Sequence, residues 1–583
     1  MNGRPRANIW NWLVAGLLLL SAALVWHDLG AHEVLGRDEN ATILKLDQPD
    51  LRSLLQVVPI KVTGQPGYMQ PLYFVLEYYV WPLVHRSAFM LRFLSSAFSL
   101  LTVAVVYRLG RALWGRQAGL IGAFLTALLP LHVQYAQIAR PYSLLALLSL
   151  ASAYFLVRAW ATHRPVYWAG FALTGAFSFY AHYNALFALA SEALFTAVLW
   201  LVALVVTWRK RRHSLRSGRL VGPLLGWLAL GVLCAPGLVQ LAGLPWAGLR
   251  GSHEAGAEVT VQLTGQFFAG FMDNVGLASP WLRGLILGLM AVGLAAALYR
   301  RRREVLSLFQ WQAALLTVLW LALPFAILAT IRSPRPFVER YLIFVPPMAL
   351  LLAGQGAAAM GRALAVLGPL RRNRPAWLGA AATVVFCAGL ALLLARPLRV
   401  YYAENRTVDR LGETVVVVER NARAGDAVIV SPRFFIRPLV VNGADVLYLT
   451  QHLSLAELDD LAARYDRIWL LYTSNLPAEL QEPLDQWYLA HQDDFAQVPI
   501  KAITALAYRN LALTDPEDRL KDRIALLEEL AASDHKAEAW LRHGILADAY
   551  QALSTLYAGQ GRSDLAAEYQ QRADETRTAV PAP

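Results

Sequence analysis

Long apolar runs separated by short charged segments make up the first 400 residues of the chain. A run of roughly 20 apolar residues is long enough to cross a bilayer as a helix. The pattern predicts eleven such helices, at about 8–29, 88–107, 117–133, 141–157, 165–183, 185–207, 220–243, 281–299, 309–331, 341–361 and 376–397. We therefore expect an α-helical polytopic membrane domain over residues 1–400, with a long first loop at about 30–87.

The pattern changes after the last apolar run. Short apolar segments predict strands, and amphipathic stretches predict helices between them; the strands lie at 426–431, 445–449, 467–472 and 502–508 and the helices at 454–464 and 477–490. This alternation favours a small α/β domain over 401–515. Residues 516–583 are predicted to be a helical tail with one tetratricopeptide-like hairpin, indicated by Tyr550, Leu553, Tyr557, Gly561, Ala566 and Ala573. A single hairpin cannot bury its own apolar face, so we expect it to cap the α/β domain.

Composition agrees with a membrane protein. The 583 residues are 57% hydrophobic and 16% charged, and the mean hydropathy is +0.40, which a large soluble protein does not show. The net charge of +12 does not indicate nucleic-acid binding, because most of the excess lies in connectors between apolar runs. Cys234 and Cys387 lie inside apolar runs, which excludes a disulfide framework or a cysteine metal cage.

Basic residues alternate between the two ends of the predicted helices. The Arg-rich connectors fall on one side, at residues 4–6, 108–116, 158–164, 209–212, 300–303 and 371–374. By the positive-inside rule the N-terminus is cytoplasmic, and eleven helices leave the C-terminal domain extracytoplasmic. Arg396 and Arg399 run against this bias, but they precede a long translocated domain, where the rule is weak. No small-residue cleavage site follows the first helix, so we expect it to be retained.

A carboxylate pair, Asp38-Glu39, follows the first apolar run on the predicted outer face. Charge at the mouth of a membrane helix is costly without a partner or a task, although a solvated loop start would show the same pair. The outer loop continues through the basic residues Lys45, Arg52 and Lys61 to the Pro-aromatic segment Gln70–Phe74.

Three more charged or aromatic segments fall on this predicted face. Arg140-Pro141-Tyr142 lies in a turn before a helix start, a suitable place for phosphate. His182 ends one predicted helix and Arg340 opens another. Interfacial anchoring or packing would explain each residue alone. Together with Asp38-Glu39 they favour an enzyme acting on an anionic, phosphate-bearing substrate.

The order of these motifs resembles the GT-C superfamily of polytopic glycosyltransferases, most closely the branch of protein O-mannosyltransferases and lipid A aminoarabinose transferases. The resemblance covers about residues 8–360. Its matching stretches are Asp38-Glu39, Gln70-Pro71-Leu72-Tyr73-Phe74, Leu91-Arg92-Phe93-Leu94-Ser95-Ser96-Ala97, Ala136 to Leu145, Tyr180-Ala181-His182-Tyr183 and Glu339-Arg340-Tyr341-Leu342.

This resemblance implies sugar transfer from a polyprenyl-phosphate-linked donor to an acceptor on the outer face of a bacterial-type plasma membrane, with inversion. Asp38 would be the general base, with Glu39 as helper or alternative. The residues implied for the donor phosphate or sugar are Arg140, Tyr142, His182, Arg340, Lys61 and Arg52. The partners are the donor, membrane lipids and a lipid, glycan or protein acceptor, but not nucleic acid. No cofactor or metal ligand is predicted, and a divalent-metal requirement stays open.

Two positions depart from the family pattern. Gln70 replaces the first of two prolines, and Ile138 stands where many relatives have Glu. The lost acid leaves open a different acceptor, an inactive relative, or a substitute among Glu254, Glu258, Asp273 and Glu339.

The main alternative is a lipid or sugar transporter or flippase. Transporters place ionisable residues near the bilayer midplane, often in repeated halves. Here the charges gather at one face and no half is repeated, which favours the enzyme. A non-catalytic scaffold is a third alternative, but no sequence feature supports it.

Overall fold

A computed structural model describes most of the chain. The described residues are 9–30, 37–59, 70–83, 87–209, 218–242, 279–299, 310–330, 339–367, 376–404, 422–430, 443–448, 454–473, 498–500, 504–510, 513–531 and 539–578, with a few positions at 418 and within 483–490. The chain divides into two compact units. The first contains residues 1–31, 45–60 and 66–403, and the second contains 32–44, 61–65 and 404–583.

Helices make up the part of the first unit that the structure describes. In chain order they are α1 (Ile9–Trp26), α2 (Arg37–Leu46, shared with the second unit), α3 (Leu51–Val57), α4 (Pro71–Val80), α5 (Ala88–Leu113), α6 (Arg116–Ala127), α7 (Pro130–Ala136), α8 (Tyr142–Thr162), α9 (Pro165–Ala181), α10 (Ala185–Arg209), α11 (Gly218–Ala242), α12 (Pro280–Tyr299), α13 (Gln310–Thr330), α14 (Val345–Leu367) and α15 (Ala376–Glu404). Short 3₁₀ turns occupy Trp81–Leu83 and Glu339–Leu342.

The predicted class, a mostly helical polytopic protein, is confirmed. Within the described residues, seven helices are long and apolar enough to cross a membrane, or eight if the bent pair α6–α7 counts as one. The predicted spans at 165–183, 341–361 and 376–397 coincide with α9, α14 and α15, which are not among the seven; α9 has only 17 residues. The count of eleven stays a prediction.

Proline changes two predicted segments. The run 117–133 is not one straight helix, because α6 and α7 meet at 62°. Pro130 starts α7, and Leu129 before it is extended, with ψ of 121°, as a residue preceding proline prefers. The predicted loop 30–87 also contains three helices, of which α4 begins with Pro71 at its first turn, where the missing N–H costs nothing.

Small residues bring helices of the first unit close together. A Cβ added at Gly354 of α14 would lie 2.6 Å from the Ala118 carbonyl oxygen and 2.9 Å from the Gly122 nitrogen of α6. Only glycine permits this approach, and close backbone packing is how membrane helices gain contact without a hydrophobic driving force. A continuous core runs through this bundle, and Trp320 and Phe344 lie fully buried within it.

The second unit contains a five-stranded mixed sheet in the order β2-β1-β3-β5-β4. Its strands are β1 (Asp426–Val430), β2 (Asp445–Tyr448), β3 (Arg467–Thr473), β4 (Val498–Ile500) and β5 (Thr504–Asn510). β1 pairs in parallel with β2 and β3, and β5 runs antiparallel to β3. Successive side chains of a strand point to opposite faces. Val428 and Trp469 therefore enter one core, while Ile429 and Leu470 enter another.

Helices cover both faces of this sheet. The helix α16 (Leu455–Arg464) packs on the face that holds Ile429. The opposite face packs against α17 (Pro516–Ala531) and α18 (Ala539–Gly559). The hairpin turn between α18 and α19 (Ser563–Thr578) uses Gly561 at φ +76°, where a side chain would be strained. The tail thus packs on the sheet, as a lone hairpin requires.

Candidate functional site

Hydrogen bonds join the end of α1 to the beginning of α5. The Trp26 indole N–H donates to Ser96 Oγ over 3.1 Å. The Arg92 guanidinium donates to the Leu29 carbonyl over 3.2 Å. Arg92 and Ser96 belong to the segment Leu91–Ala97, so this segment fixes the chain where it leaves α1.

Ser95, in the same segment, positions the backbone of Arg140. Its hydroxyl donates to the Arg140 carbonyl over 3.2 Å. Because that proton is committed, the Tyr73 hydroxyl, 2.9 Å away, is the donor to Ser95 Oγ. Both Ser95 and Tyr73 are fully buried, so the relay rigidly connects α4, α5 and the turn before α8.

Gln137 holds the same turn from the other side. Its amide nitrogen donates to the Val25 carbonyl over 3.2 Å and to the His27 carbonyl over 2.9 Å. Its amide oxygen accepts from the Tyr401 hydroxyl over 2.8 Å. The turn 137–141 is therefore tied to the ends of α1 and α15.

Tyr142, the first residue of α8, lies at the centre of an aromatic group. Its ring centroid is 5.6 Å from that of His182, 6.3 Å from that of Tyr341 and 5.2 Å from that of Tyr135. The His182 and Tyr341 centroids are 5.8 Å apart. Three separate chain segments thus meet at one buried tyrosine.

Two arginines flank this ring. Arg140 Cζ lies 6.0 Å from the Tyr142 centroid, and Arg340 Cζ lies 5.7 Å from the centroids of both Tyr142 and Tyr341. Cation–π attraction favours such positions. We call Arg140, Tyr142, His182, Arg340 and Tyr341 the Tyr142 cluster. Its two guanidinium groups create a positive, partly dehydrated site with planar donors suited to phosphate or carboxylate.

The hydrogen bonding of His182 defines which ring nitrogen is available. The backbone N–H of Asn184 donates to His182 Nδ1 over 3.2 Å, so Nδ1 is an acceptor. A neutral ring then carries its proton on Nε2 and can donate one hydrogen bond there. His182 thus adds a neutral donor beside two permanent cations.

Lys45, at the end of α2, responds to the same charges. Its ammonium donates to the carbonyls of Val57 and Val58 over 3.0 and 2.8 Å, and its side chain is buried. Burial and, secondarily, the Arg140 charge lower the pKa of Lys45 to about 8. A bound anion would relieve this repulsion.

The structure brings four predicted residues together: Arg140, Tyr142, His182 and Arg340. Asp38 and Glu39 lie in the first turn of α2, in the part of the chain that belongs to the second unit, and Glu39 is buried. Arg52 is exposed on α3, and Lys61 lies outside the described residues. The roles assigned to all of these residues stay predictions.

The structure also adds residues that the sequence analysis did not select. Tyr341 completes the aromatic group, although the quoted segment Glu339–Leu342 already contained it. Lys45 is buried whereas Arg52 is not, a difference that charge alone could not reveal. Glu77 is a fully buried acid in α4. The sequence could have indicated it, because it is the one charged residue in an otherwise apolar and aromatic helix. Of the suggested substitute acids, Glu339 adjoins Arg340 in a 3₁₀ turn, and the others, Glu254, Glu258 and Asp273, lie outside the described residues.

Across the described ranges, no three His, Cys, Asp or Glu side chains converge so that they could hold a metal ion.

Comparison with known proteins gives one family match and several similar folds. Residues 70–234 match the family model of dolichyl-phosphate-mannose-protein mannosyltransferases. The ArnT structure from Cupriavidus metallidurans bound to undecaprenyl phosphate is 14% identical, with 87% of this chain and 99% of that chain covered and a TM-score of 0.48. The oligosaccharyltransferase AglB from Archaeoglobus fulgidus, in complex with an inhibitory peptide and a dolichol-phosphate, is 11% identical, with 95% and 86% covered and a TM-score of 0.45. No curated protein matches.

The matched segment contains much of the site. It includes Ser95, Arg140, Tyr142 and His182 and runs from α4 into α11. The chain is therefore a multi-pass membrane protein by its long apolar helices, and its residues 70–234 are similar to the dolichyl-phosphate-mannose-protein mannosyltransferase family.

Proposed function

We propose that this protein transfers a sugar from a polyprenyl-phosphate-linked donor to an acceptor hydroxyl at the outer face of a bacterial-type plasma membrane. The matched family is named for a dolichyl-phosphate-linked sugar, which supports a lipid-phosphate donor. The N-terminus is cytoplasmic and the C-terminal α/β domain extracytoplasmic in this proposal, as the distribution of Arg-rich connectors favours.

The observation that carries the proposal is the pair of arginines around Tyr142. When the glycosidic bond breaks, a singly charged phosphodiester becomes a phosphate monoester with a second negative charge. Positioned donors stabilise charge that develops in the transition state more than charge already present in the ground state. Arg140 and Arg340, fixed against aromatic rings 5.7–6.0 Å away, have the charge and the planar geometry for this oxygen cluster.

The neighbouring groups supply further contacts in this proposal. The Nε2 proton of His182 and the Tyr142 hydroxyl donate hydrogen bonds to the phosphate or the sugar. Lys45 adds positive charge while it is protonated, and Arg52 and Lys61 are candidates for the same role.

Acceptor activation is assigned to the carboxylates at the start of α2. Asp38 removes the proton from the acceptor hydroxyl as its oxygen attacks the anomeric carbon, opposite the departing phosphate. One such displacement inverts the anomeric configuration. Glu39 is the helper or the alternative base. No resident cofactor is assigned to these steps, and a divalent-metal requirement stays open.

The test compares envelope lipids, glycans and proteins from wild-type and deletion strains by mass spectrometry. We expect one sugar to disappear from an acceptor in the deletion strain, while its polyprenyl-phosphate-linked form accumulates. Expression of the wild-type chain should restore the product, and expression of Asp38→Asn should not. An unchanged profile in the deletion strain, or full restoration by Asp38→Asn, would contradict the proposal.

A further inference from the structure

A cleft opens in the first unit between the turn after α2 and the end of α4. Its volume is about 540 Å³, and its walls include Asp47, Gln48, Tyr78, Tyr79 and Trp81. Small-molecule sites in proteins commonly measure ~300–1,000 Å³. The cleft is therefore large enough for one or two sugar rings, and none of its lining residues belongs to the Tyr142 cluster.

Local structure keeps the two walls in place. Asp50 caps α3 by accepting from the Ser53 N–H over 2.7 Å, which fixes the start of α3 directly after this wall. The Tyr78 hydroxyl reaches the Gln48 carbonyl at 3.4 Å and joins the walls. Tyr78 and Tyr79 are nearly perpendicular, with centroids 5.4 Å apart and an interplanar angle of 83°.

The chemistry of the lining suits a neutral polyol with an apolar side. Trp81 and Leu46 are buried at the base, whereas Tyr79 has 58% of its surface exposed at the rim. An aromatic face can pack against the C–H face of a pyranose ring. The Asp47 carboxylate can accept hydrogen bonds from its hydroxyls, and the Gln48 side-chain amide can both accept and donate.

Charge argues against an anionic occupant. The residues that line the described cleft include the Asp47 carboxylate but no lysine or arginine. A phosphate would be repelled here, whereas the Tyr142 cluster offers it two guanidinium groups. The two places therefore differ in ligand class.

Sequence continuity places one wall of the cleft next to Lys45. Leu46 and Asp47 directly follow Lys45, whose ammonium interacts electrostatically with Arg140. An acceptor must approach the donor's anomeric carbon, so a saccharide-binding cleft close to the donor phosphate is in a suitable position for the acceptor.

We propose that this cleft is an acceptor subsite that binds a neutral sugar ring, stacked on Tyr79 with its hydroxyls at Asp47 and Gln48. This inference rests on the proposed function in one respect, that the bound sugar is the acceptor of the transfer. It makes that acceptor a glycan or glycolipid. The saccharide binding itself does not depend on turnover.

The experiment is saturation-transfer difference NMR on the full chain in phospholipid nanodiscs, which avoids competing sugar detergents. The probes are methyl α-D-mannopyranoside, methyl β-D-glucopyranoside and methyl β-D-galactopyranoside. We expect signals from the ring C–H protons of at least one glycoside. Tyr79→Ala should weaken binding about tenfold, since one stacked ring is lost, and Asp47→Ala should weaken it as well. Trp281→Ala is the matched control, because Trp281 is an exposed aromatic residue on α12, with 89% of its surface accessible, outside the cleft.

Several results would overturn the inference. These are no signal from any glycoside, a signal that survives both cleft variants, or displacement of the glycoside by phosphocholine or phosphoethanolamine, which would assign the cleft to lipid headgroups.

Transfer kinetics separate this inference from the proposed function. Tyr79→Ala should raise KM for the acceptor and leave KM for the donor unchanged. A donor-specific change would overturn the acceptor role. Glycoside binding without any sugar transfer would refute the proposed function and leave a saccharide site. Sugar transfer without glycoside binding would support the proposed function and refute the saccharide-binding cleft.

Discussion

Buried charge is handled differently in the two units of this protein. In the second unit, Arg467 donates to both carboxylate oxygens of Asp426 over 3.0 and 2.8 Å, and Trp469 donates to the same carboxylate over 3.1 Å. In the first unit, two arginines flank Tyr142, and positive charge there helps to lower the pKa of Lys45 to about 8. In the second unit the buried carboxylate and guanidinium neutralise each other, and this pair stabilises the fold. The first unit instead brings two cations from separate chain segments to one aromatic ring.

The difference shows why a buried arginine alone does not indicate a site. Arg467 also lies over an aromatic ring, 5.7 Å from the centroid of Trp469, as Arg140 and Arg340 lie over Tyr142. What distinguishes the Tyr142 cluster is the convergence of cations from separate chain segments and its effect on a neighbouring lysine.

Removal of the proposed base should have the largest effect. Asp38→Asn should lower kcat for sugar transfer by ~10²–10⁴-fold, because proton removal from the acceptor is lost, while donor binding is retained. Transfer in membrane vesicles and donor binding are measured on the same preparation. Asp28→Asn removes a carboxylate ten residues earlier and should transfer sugar normally. A normal kcat in Asp38→Asn would show that Asp38 is not the general base.

Replacement of Arg340 should have the next largest effect on sugar transfer. Arg340→Ala should lower kcat/KM for the donor by ~10²–10³-fold, as loss of a transition-state hydrogen-bond donor does. Arg340→Lys should restore only part of it, because an ammonium cannot make the bidentate contact. The control is Arg158→Lys, which changes another Arg–Tyr pair, with Cζ 5.1 Å from the Tyr167 centroid. Equal effects of the two lysine substitutions would contradict the contrast.

Lys45 predicts a pH dependence of donor affinity. Its pKa is lowered to about 8, so the cation is present below this pH and lost above it. Donor affinity should fall roughly tenfold from pH 7 to pH 9, where about a tenth of the ammonium remains; the phosphodiester itself does not titrate there. Lys45→Arg should flatten the profile, and an unchanged slope in that variant would exclude Lys45 as the titrating group.

Breaking the Asp426–Arg467 ion pair should lower stability and leave donor affinity unchanged. Asp426→Ala leaves Arg467 buried without its counter-charge, which typically costs ~3–5 kcal/mol. Limited proteolysis of the full chain should show earlier cleavage within 404–583, with donor affinity as in the wild type. The double variant Asp426→Leu/Arg467→Met, which removes both charges, should recover much of the stability. A large loss of donor affinity in Asp426→Ala would show that the two charge clusters are not separate in function.

The apolar pattern of the sequence predicted the longer strands and helices better than it predicted bends and short elements. Strands β1, β2, β3 and β5 lie within two residues of the predicted limits, because each carries a short apolar run. β4 was missed because Val498-Pro499-Ile500 is only three residues long and contains proline. The bend at Pro130 and the helices within 30–87 were likewise not predicted, since short helices depend on tertiary packing more than on local pattern.

Topology predicted which candidate residues lie near each other, but not their contacts. Alternation of apolar runs put Arg140, His182 and Arg340 on one face, and the structure brings them to one ring. Burial of a basic side chain in this loop depends on tertiary packing, so the sequence could not distinguish the buried Lys45 from the exposed Arg52. The link from Tyr73 through Ser95 to the Arg140 carbonyl spans long sequence separations and is visible only in three dimensions.

The Tyr142 cluster is proposed to bind the phosphate of the lipid carrier. Binding of undecaprenyl phosphate to the purified full chain, measured by native mass spectrometry for the wild type, Arg140→Met/Arg340→Met and the control Arg158→Met, tests it most directly. We predict that the wild type and Arg158→Met retain the lipid through gas-phase activation and that the double variant loses it. Equal retention by all three proteins would contradict the claim.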